Sequence, residues 1–444
     1  MESNYVLKAP KETRDFGSKD VYIRENIFIR IKKHFELYGC VPIDTPVIEC
    51  IETVKNLYGE EFNKLVYTLD DQGGEKLILR YDLTVPFARY VINNGLVNFK
   101  RYQIGKVYRR DEPQLTKGRF REFYQCDADF IGTDYGTMIQ DTEILCLLRD
   151  ILSDVLDDKD SQKFKIKINS KKILFDVLTF IGAPKNQFNT ICSSIDKLDK
   201  FEWNEIAEEL INIKNIDGDC VLRLKLFMDL LNYDLNKFQI LELLFSNKYI
   251  ERPTYEEMIL LFNNIEATKL NDIIVFDPVL SRGLDYYTGI VYEAVYYDKN
   301  VMSSSIAAGG RYDNMLDKLG NRGIIPAIGL SIGIERIVTI LESNNLKINT
   351  KLPKVFIATV KDNMEIHKLI LANELRKQNI LVDYFYNKSP KMRQQLDFVL
   401  NNKIPFMVII GNNEIETNTV NLKIIDEHKE INIKRDELIS FLNK

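Results

Sequence analysis

Histidine is scarce in this chain, with 3 in 444 residues, at positions 34, 367 and 428. None lies in the motifs described below, so acid–base chemistry built on imidazole has little support. The 6 cysteines are scattered without a C-x-x-C pair, which argues against both a disulfide framework and a structural zinc site, and no metal-ligating set is expected. No apolar run approaches the roughly 20 residues that a membrane span needs, so no membrane association is expected. The opening M-E-S-N-Y-V-L-K-A-P-K-E-T-R-D has neither the apolar core of a secretory signal nor an acid-free import stretch, and a cytoplasmic location is the expectation. Excess positive charge is lacking too. A formal net charge of -5 argues against sequence-blind nucleic-acid binding, so any RNA contact has to come from a local basic patch.

With 45% hydrophobic and 28% charged residues, the composition is that of a globular protein with about two to three domains. Ile23, Ile27, Ile31, Phe35 and Tyr38 fall on one helical stripe, with Arg24, Lys32 and Lys33 elsewhere. V-P-I-D-T-P-V-I-E follows as an extended edge or interface segment, because its two prolines cannot donate to a ladder. Residues 77–90 form a strand-like run that turns into P-F-A-R-Y. Residues 99–132 read strand, polar loop, strand, a long antiparallel hairpin. A helix over 136–156 and a short strand over 164–168 come next. Residues 183–271 have helical spacing and few turn signals, as in an inserted helical unit, and the polar stretch 343–353 reads as a linker. From 354 to 444 the order β-α-β-α-β predicts a small α/β domain with a mostly buried sheet.

The hairpin reads Y-R-R-D-E-P-Q-L-T-K-G-R-F-R-E-F-Y-Q-C-D-A-D. Alternation places Arg119, Arg121 and Phe123 on one face, continued by Gln125, Asp127 and Asp129. Such a row is either a solvated surface of crossed ion pairs or a groove for a ligand that is anionic at one end and cationic or polar at the other. Phe123 among the charges favours the groove. Elsewhere, L-S-R-G-L-D-Y-Y-T-G-I-V-Y-E over 280–293 alternates like a strand yet carries Arg282 and Asp285, which are either a catalytic cation with its turn or a solvated pair. A-A-G-G-R-Y-D over 307–313 reads alone as a hairpin turn. A-I-G-L-S-I-G-I-E-R is a glycine-spaced strand leading into a helix that carries Arg336.

Together these segments resemble class II aminoacyl-tRNA synthetases. Pro46 after the amphipathic helix looks like their first motif, R-x-D with R-x-x-x-F-x-x-x-D (109–127) like the second, and G-L-S-I-G-I-E-R (329–336) like the third. R-G-L-D-Y-Y (282–287) and G-G-R-Y-D (309–313) are similar to the two segments peculiar to histidyl-tRNA synthetases, and L-R-Y-D-L-T-V-P-F-A-R-Y (79–90) resembles the eukaryotic cytosolic branch. Two departures stand out: Glu12 in P-K-E-T-R-D where the family usually has glycine, and Ser331 in place of the middle glycine of the third motif.

The resemblance implies an α+β catalytic domain on an antiparallel sheet in two parts, 1–182 and 272–342, interrupted by the helical insertion and followed by an anticodon-binding α/β domain. It further implies ATP-dependent ligation of L-histidine to tRNA(His) through histidyl-adenylate, with ATP as substrate, Mg2+ as its companion ion, and a homodimer formed through 23–49. Carried over residue by residue, Arg109 and Arg282 meet the α-phosphate and carboxylate. Arg119 and Arg336 hold the triphosphate tail, Asp111 joins the ATP site, and Phe123 and Arg336 sandwich the adenine. Asp129 and Tyr287 satisfy the imidazole, Tyr286 and Tyr312 form walls, and Asp82, Thr84 and Gln125 take the α-ammonium and orient the carboxylate. The loop 112–118 is expected near the tRNA acceptor end. N-K-S-P-K-M-R-Q-Q (387–395) is either an RNA-facing basic run or a helix start with Ser389 as N-cap and Pro390 at N1. An idle regulatory relative is the rival reading, countered by the presence of every signature arginine and carboxylate.

Overall fold

The computed structural model covers the whole chain and describes every residue except 1–6, 55–64, 71–72, 111–119, 133–135, 159–162, 200, 232–233, 282–285, 299–300, 321–322, 344–352, 361–362 and 444. It divides into two compact units, Met1–Lys347 and Ile348–Lys444.

Helix α1, Ser18–Leu37, buries the predicted stripe of Ile23, Ile27, Ile31 and Phe35. Arg24, expected off that stripe, is buried as well. Its guanidinium lies 3.8 Å from the Phe16 ring centroid and 3.5 Å from Glu335, so aromatic and carboxylate partners replace its water. His34 meets Asp154 at 2.9 Å across the helix interface, a structural use of the histidine.

The first unit is built on an eight-stranded sheet. Its strands in chain order are β1 (Val41–Pro42), β4 (Phe99–Tyr108), β5 (Glu122–Ile131), β6 (Phe164–Ser170), β7 (Ile274–Phe276), β8 (Ile290–Asp298), β9 (Val301–Arg311) and β10 (Ala327–Gly333). A separate two-stranded ribbon pairs β2 (Ile48–Cys50) with β3 (Leu77–Leu79). The order across the large sheet is β1-β4-β5-β10-β9-β8-β6-β7, antiparallel except for the outer pairs β1/β4 and β6/β7. The predicted hairpin is present as β4/β5, with Arg101 opposite Asp129 and Gln103 opposite Asp127. By contrast, 77–90 holds only a three-residue strand, and helix α2 (Thr84–Asn94) contains P-F-A-R-Y. Pro86 sits in the helix's first turn, where its missing N–H costs nothing.

A-A-G-G-R-Y-D is not a hairpin turn. Most of it is the end of β9 in mid-sheet, and its glycines serve close packing, since a Cβ on Gly310 would stand 2.6 Å from Ile290 O and 3.0 Å from the Tyr287 ring. The 280–293 run becomes a strand only from Ile290. Helix α3 (Ile139–Val155) packs on α1, and helix α4 (Ile334–Ser343) follows β10. The insertion is helical, for example Gly218–Leu230, Lys237–Ser246 and Arg252–Ala267. Asn236 caps the second of these by accepting from Phe238 N and Gln239 N, both at 3.0 Å.

The second unit has a five-stranded sheet in the order β12-β11-β13-β14-β15, with β11 Val355–Thr359, β12 Val382–Asp383, β13 Phe406–Ile410, β14 Thr419–Ile424 and β15 Lys429–Lys434. The first three strands are parallel, as β-α-β-α-β requires, and an antiparallel hairpin extends them. Helix α5, Met392–Asn401, begins after Lys391, so Ser389 is not its N-cap. Gln395 instead ties the helix to the sheet, donating to Thr359 O at 2.9 Å and accepting from Thr359 N at 3.0 Å. Among the described residues no helix is long and apolar enough to cross a membrane.

Candidate active site

Residues paired directly across antiparallel strands project to the same face. Three cross-sheet rows therefore line one face: Gly105–Gln125–Gly333, Gln103–Asp127–Ser331–Ala308 and Arg101–Asp129–Gly329–Gly310. Two strands supply charge and amide, and the other two supply only glycine, serine and alanine. The result is a floor that is polar on one side and low on the other, so a ligand can approach the backbone of β9 and β10 closely.

Asp129 is the centre of the third row. Its carboxylate meets Arg101 at 2.5 Å and accepts a hydrogen bond from the Tyr312 hydroxyl, with both charged side chains out of contact with water. Burial pushes the Asp129 carboxyl up, while Arg101 and the Tyr312 hydroxyl pull it down. Arg101 also donates to Leu83 O at 2.9 Å, which fixes the turn before α2. In that turn Asp82 is buried and accepts from Val85 N at 3.1 Å, and Thr84, half-buried, opens the helix. Glycine is required at 329, where a Cβ would overlap Asp129 Oδ1.

Gln125 Nε2 of the first row donates to Ser331 Oγ of the middle row at 2.7 Å, so the serine that replaces glycine in the third motif is built into the floor. Burial, with Asp129 and Asp82 nearby, raises the Asp127 carboxyl to about 7 against the pull of Arg101 and the Ser331 hydrogen bond. Tyr286 and Tyr287 stand over the row of Asp129, their ring centroids 4.7 Å apart, with Tyr312 edge-on to Tyr286 at 6.3 Å. They retain some exposed surface, yet enough protein surrounds the hydroxyls that burial pushes both phenols up, Tyr287 to about 12.

At the β5 entrance Arg109 lies 4.4 Å from the Tyr81 ring centroid and 5.3 Å from that of Phe123, and its Nε donates to Tyr81 O at 3.1 Å. Arg336, in the first turn of α4, donates to Ser305 O. Beside it Glu335 is buried, accepts from Tyr124 N at 3.1 Å, and is raised by burial to about 7. Asp111, Arg119 and Arg282 lie outside the described residues. The chain just ahead of Arg282 is held by Asn169, which donates to Pro278 O and Leu280 O, both at 2.9 Å, and by Ser281, which donates to Cys192 O at 2.9 Å in the inserted helices.

The structure thus gathers Asp82, Thr84, Gln125, Asp129, Tyr286, Tyr287 and Tyr312 around one end of the floor, with Arg109 and Phe123 toward the other. Arg121 is engaged instead with Glu12 at 2.5 Å, and Glu12 takes a positive φ of 62°. The turn that glycine usually makes is therefore kept. Arg311 of G-G-R-Y-D is a core cation, bound to the buried Asp141 and at 3.2 Å to Asp313. Sequence reasoning missed Arg101 and Gln103, although alternation through F-K-R-Y-Q-I-G carries both to the same face as Gly105.

Residues 12–337 match the family described as histidyl-tRNA synthetase, and 354–444 match an anticodon-binding domain. The chain belongs to the histidyl-tRNA synthetase family. It is 42% identical over 98% of its length to a cytoplasmic histidine–tRNA ligase of Dictyostelium discoideum, covering 90% of that protein. It is 37% identical over 100% of its length to a mitochondrial histidine–tRNA ligase of Bos taurus, covering 89% of it. The crystal structure of histidyl-tRNA synthetase from Nostoc shares the fold, with a TM-score of 0.77 at 24% identity over 99% of both chains. The two-unit architecture, a large mixed sheet followed by an α/β anticodon-binding domain, is that of the family.

Proposed function

We propose that this chain joins L-histidine to tRNA(His) in two steps. In the first, the histidine carboxylate attacks the α-phosphorus of ATP, a carboxyl–phosphate bond forms, the α–β phosphoanhydride breaks and pyrophosphate leaves. In the second, a terminal ribose hydroxyl of the tRNA attacks the activated carbonyl and AMP leaves. The nucleophiles belong to the substrates, so no serine, cysteine or histidine nucleophile is required. Catalysis then rests on alignment and on fixed positive charge.

The observation that carries this reading is the buried Gln125–Asp127–Asp129 column facing small residues, with Arg109 and Phe123 at its entrance. It suits an amino acid at one end and a nucleotide at the other. Asp129 and Tyr287 are assigned to the imidazole, which offers one donor and one acceptor. Asp82, Thr84 and Gln125 are assigned to the amino-acid main chain, with Tyr286 and Tyr312 as walls. Arg109 and Arg282 are assigned to the reacting phosphate, and Arg119, Asp111, Phe123 and Arg336 to the rest of ATP. Mg2+ is assigned as the companion ion of the ATP phosphates. The cytosolic branch and a cytoplasmic location rest on the 79–90 segment. The homodimer rests on the 23–49 region, where Ile29, Leu37, Val41, Val47 and Ile48 leave apolar surface exposed for a second copy to cover.

The test is amino-acid-dependent ATP–pyrophosphate exchange with each standard amino acid, on the native chain and on Arg282→Ala. Exchange driven by histidine alone and lost in the variant is expected. Folded protein that exchanges with no amino acid would refute the reading in favour of an idle regulatory relative.

A further inference from the structure

Resting on that reading, we propose that Asp127 contacts the substrate and supplies the negative charge that recognises the α-ammonium group of the amino acid. Asp127 lies between Gln125 and Asp129 on the ligand-facing side of β5 and is 1% exposed. Among the described residues its Oδ1 has no hydrogen-bond partner, and neither has Oε1 of the adjacent Gln125. A carboxylate oxygen left unmade in the interior costs free energy unless a ligand or water meets it. Ser331 accounts for the rest of the side chain: its hydroxyl accepts from Gln125, which leaves its proton for Asp127.

Charge and donor count both select the ammonium. The charged groups facing Asp127 are Arg101 on β4, Asp129 beside it on β5 and Asp82 ahead of α2, with Arg80 and the Tyr287 phenol in range. Asp127 and Asp129 thus share one fully buried arginine, and that arginine is paired with Asp129. The imidazole, with one donor and one acceptor, is matched by Asp129 and Tyr287, whereas an ammonium has three donors and needs acceptors. Among the described residues, Asp127 Oδ1 and Gln125 Oε1 are buried acceptors on this face without a hydrogen-bond partner, while Asp129 Oδ2, also without one, is met by the charge of Arg101. With its carboxyl raised to about 7 by burial, Asp127 gives up its proton when a cation arrives.

Asp127→Asn keeps the shape and removes the charge. In ATP–pyrophosphate exchange, its KM for histidine is expected to rise at least about tenfold, with the KM for ATP within about twofold of the native value. Inhibition by histidinol, which keeps the amine, should weaken in parallel. Inhibition by 3-(imidazol-4-yl)propionate, which lacks it, should not. A native KM for histidine in Asp127→Asn, or equal losses for the two inhibitors, overturns the proposal. A second measurement needs no variant. Calorimetry of the native chain near pH 7 in two buffers of different ionisation enthalpy should show proton release on binding histidinol and none on binding imidazolepropionate, and equal release would overturn it. If the native chain shows no histidine-dependent exchange, the functional reading fails, whereas native exchange with an unaffected Asp127→Asn defeats this assignment alone.

Discussion

Substituting Asp129 with asparagine tests the electrostatic frame of the site. The exchange preserves volume and leaves the Tyr312 hydroxyl an acceptor, so what it removes is the charge that Arg101 faces at 2.5 Å. Arg101 then keeps Leu83 O at 2.9 Å and the Phe87 ring at 4.7 Å, with no access to solvent. Breaking a buried pair by removing one partner costs about 3–5 kcal/mol. That is a large share of the roughly 5–15 kcal/mol by which a domain is stable. Urea denaturation near pH 7.5 of Asp129→Asn, Arg101→Met and the double variant measures the pair directly. Each single change should cost about 3 kcal/mol, and the double variant should cost less than their sum by at least about 1 kcal/mol. Burial pushes the Asp129 carboxyl up, which supplies the refuting outcome. Were the acid neutral at this pH, asparagine would imitate it, the cost would fall below about 1 kcal/mol and the cycle would be additive.

Gly329→Ala should abolish histidine-dependent exchange, because the new Cβ overlaps Asp129 Oδ1 and stands 3.1 Å from the Tyr312 ring; a native KM for histidine in this variant would show that the backbone yields there. At the N-terminal turn, Glu12→Gly and Glu12→Ala both lose the pairing with Arg121, but only glycine relieves the φ of 62°. The glycine variant should therefore be the more stable in denaturation by about 1 kcal/mol, and equal stabilities would deny the strain. Glu335, raised from 4.5 to about 7 by burial, should contribute stability that is fully present below pH 4.5 and is lost as pH rises toward 7. The thermal midpoint of the native chain should fall across that interval relative to Glu335→Gln, by the equivalent of about 3 kcal/mol, and parallel pH profiles would count against a raised carboxyl.

Local rules carried much of this fold because they act over a few residues. The α1 stripe, the β4/β5 hairpin and its charged row, and the β-α-β-α-β start of the second unit follow from periods of 3.6 and 2.0 and from turn residues. The same rules failed where long-range packing decided the outcome. P-F-A-R-Y entered a helix whose first turn tolerates its proline. Arg24 left the solvated face because Phe16 and Glu335 replace its water. G-G-R-Y-D became mid-sheet strand because β8 and β10 close on its glycines. The hairpin β14/β15 escaped notice since its outer strand is an exposed, charged edge.

By itself the sequence determined the family, the two-unit order and the residue types available for chemistry, since motifs and alternation are properties of the chain. Only the tertiary structure decided which of the charged residues face one another. Arg101 was chosen as the partner of Asp129, Arg121 was assigned to Glu12 and Arg311 to Asp141. One oxygen of Asp127 was left without a hydrogen-bond partner among the described residues. These outcomes depend on cross-strand register and burial, and a charge acquires its partner, and its cost, only once water has been excluded from around it.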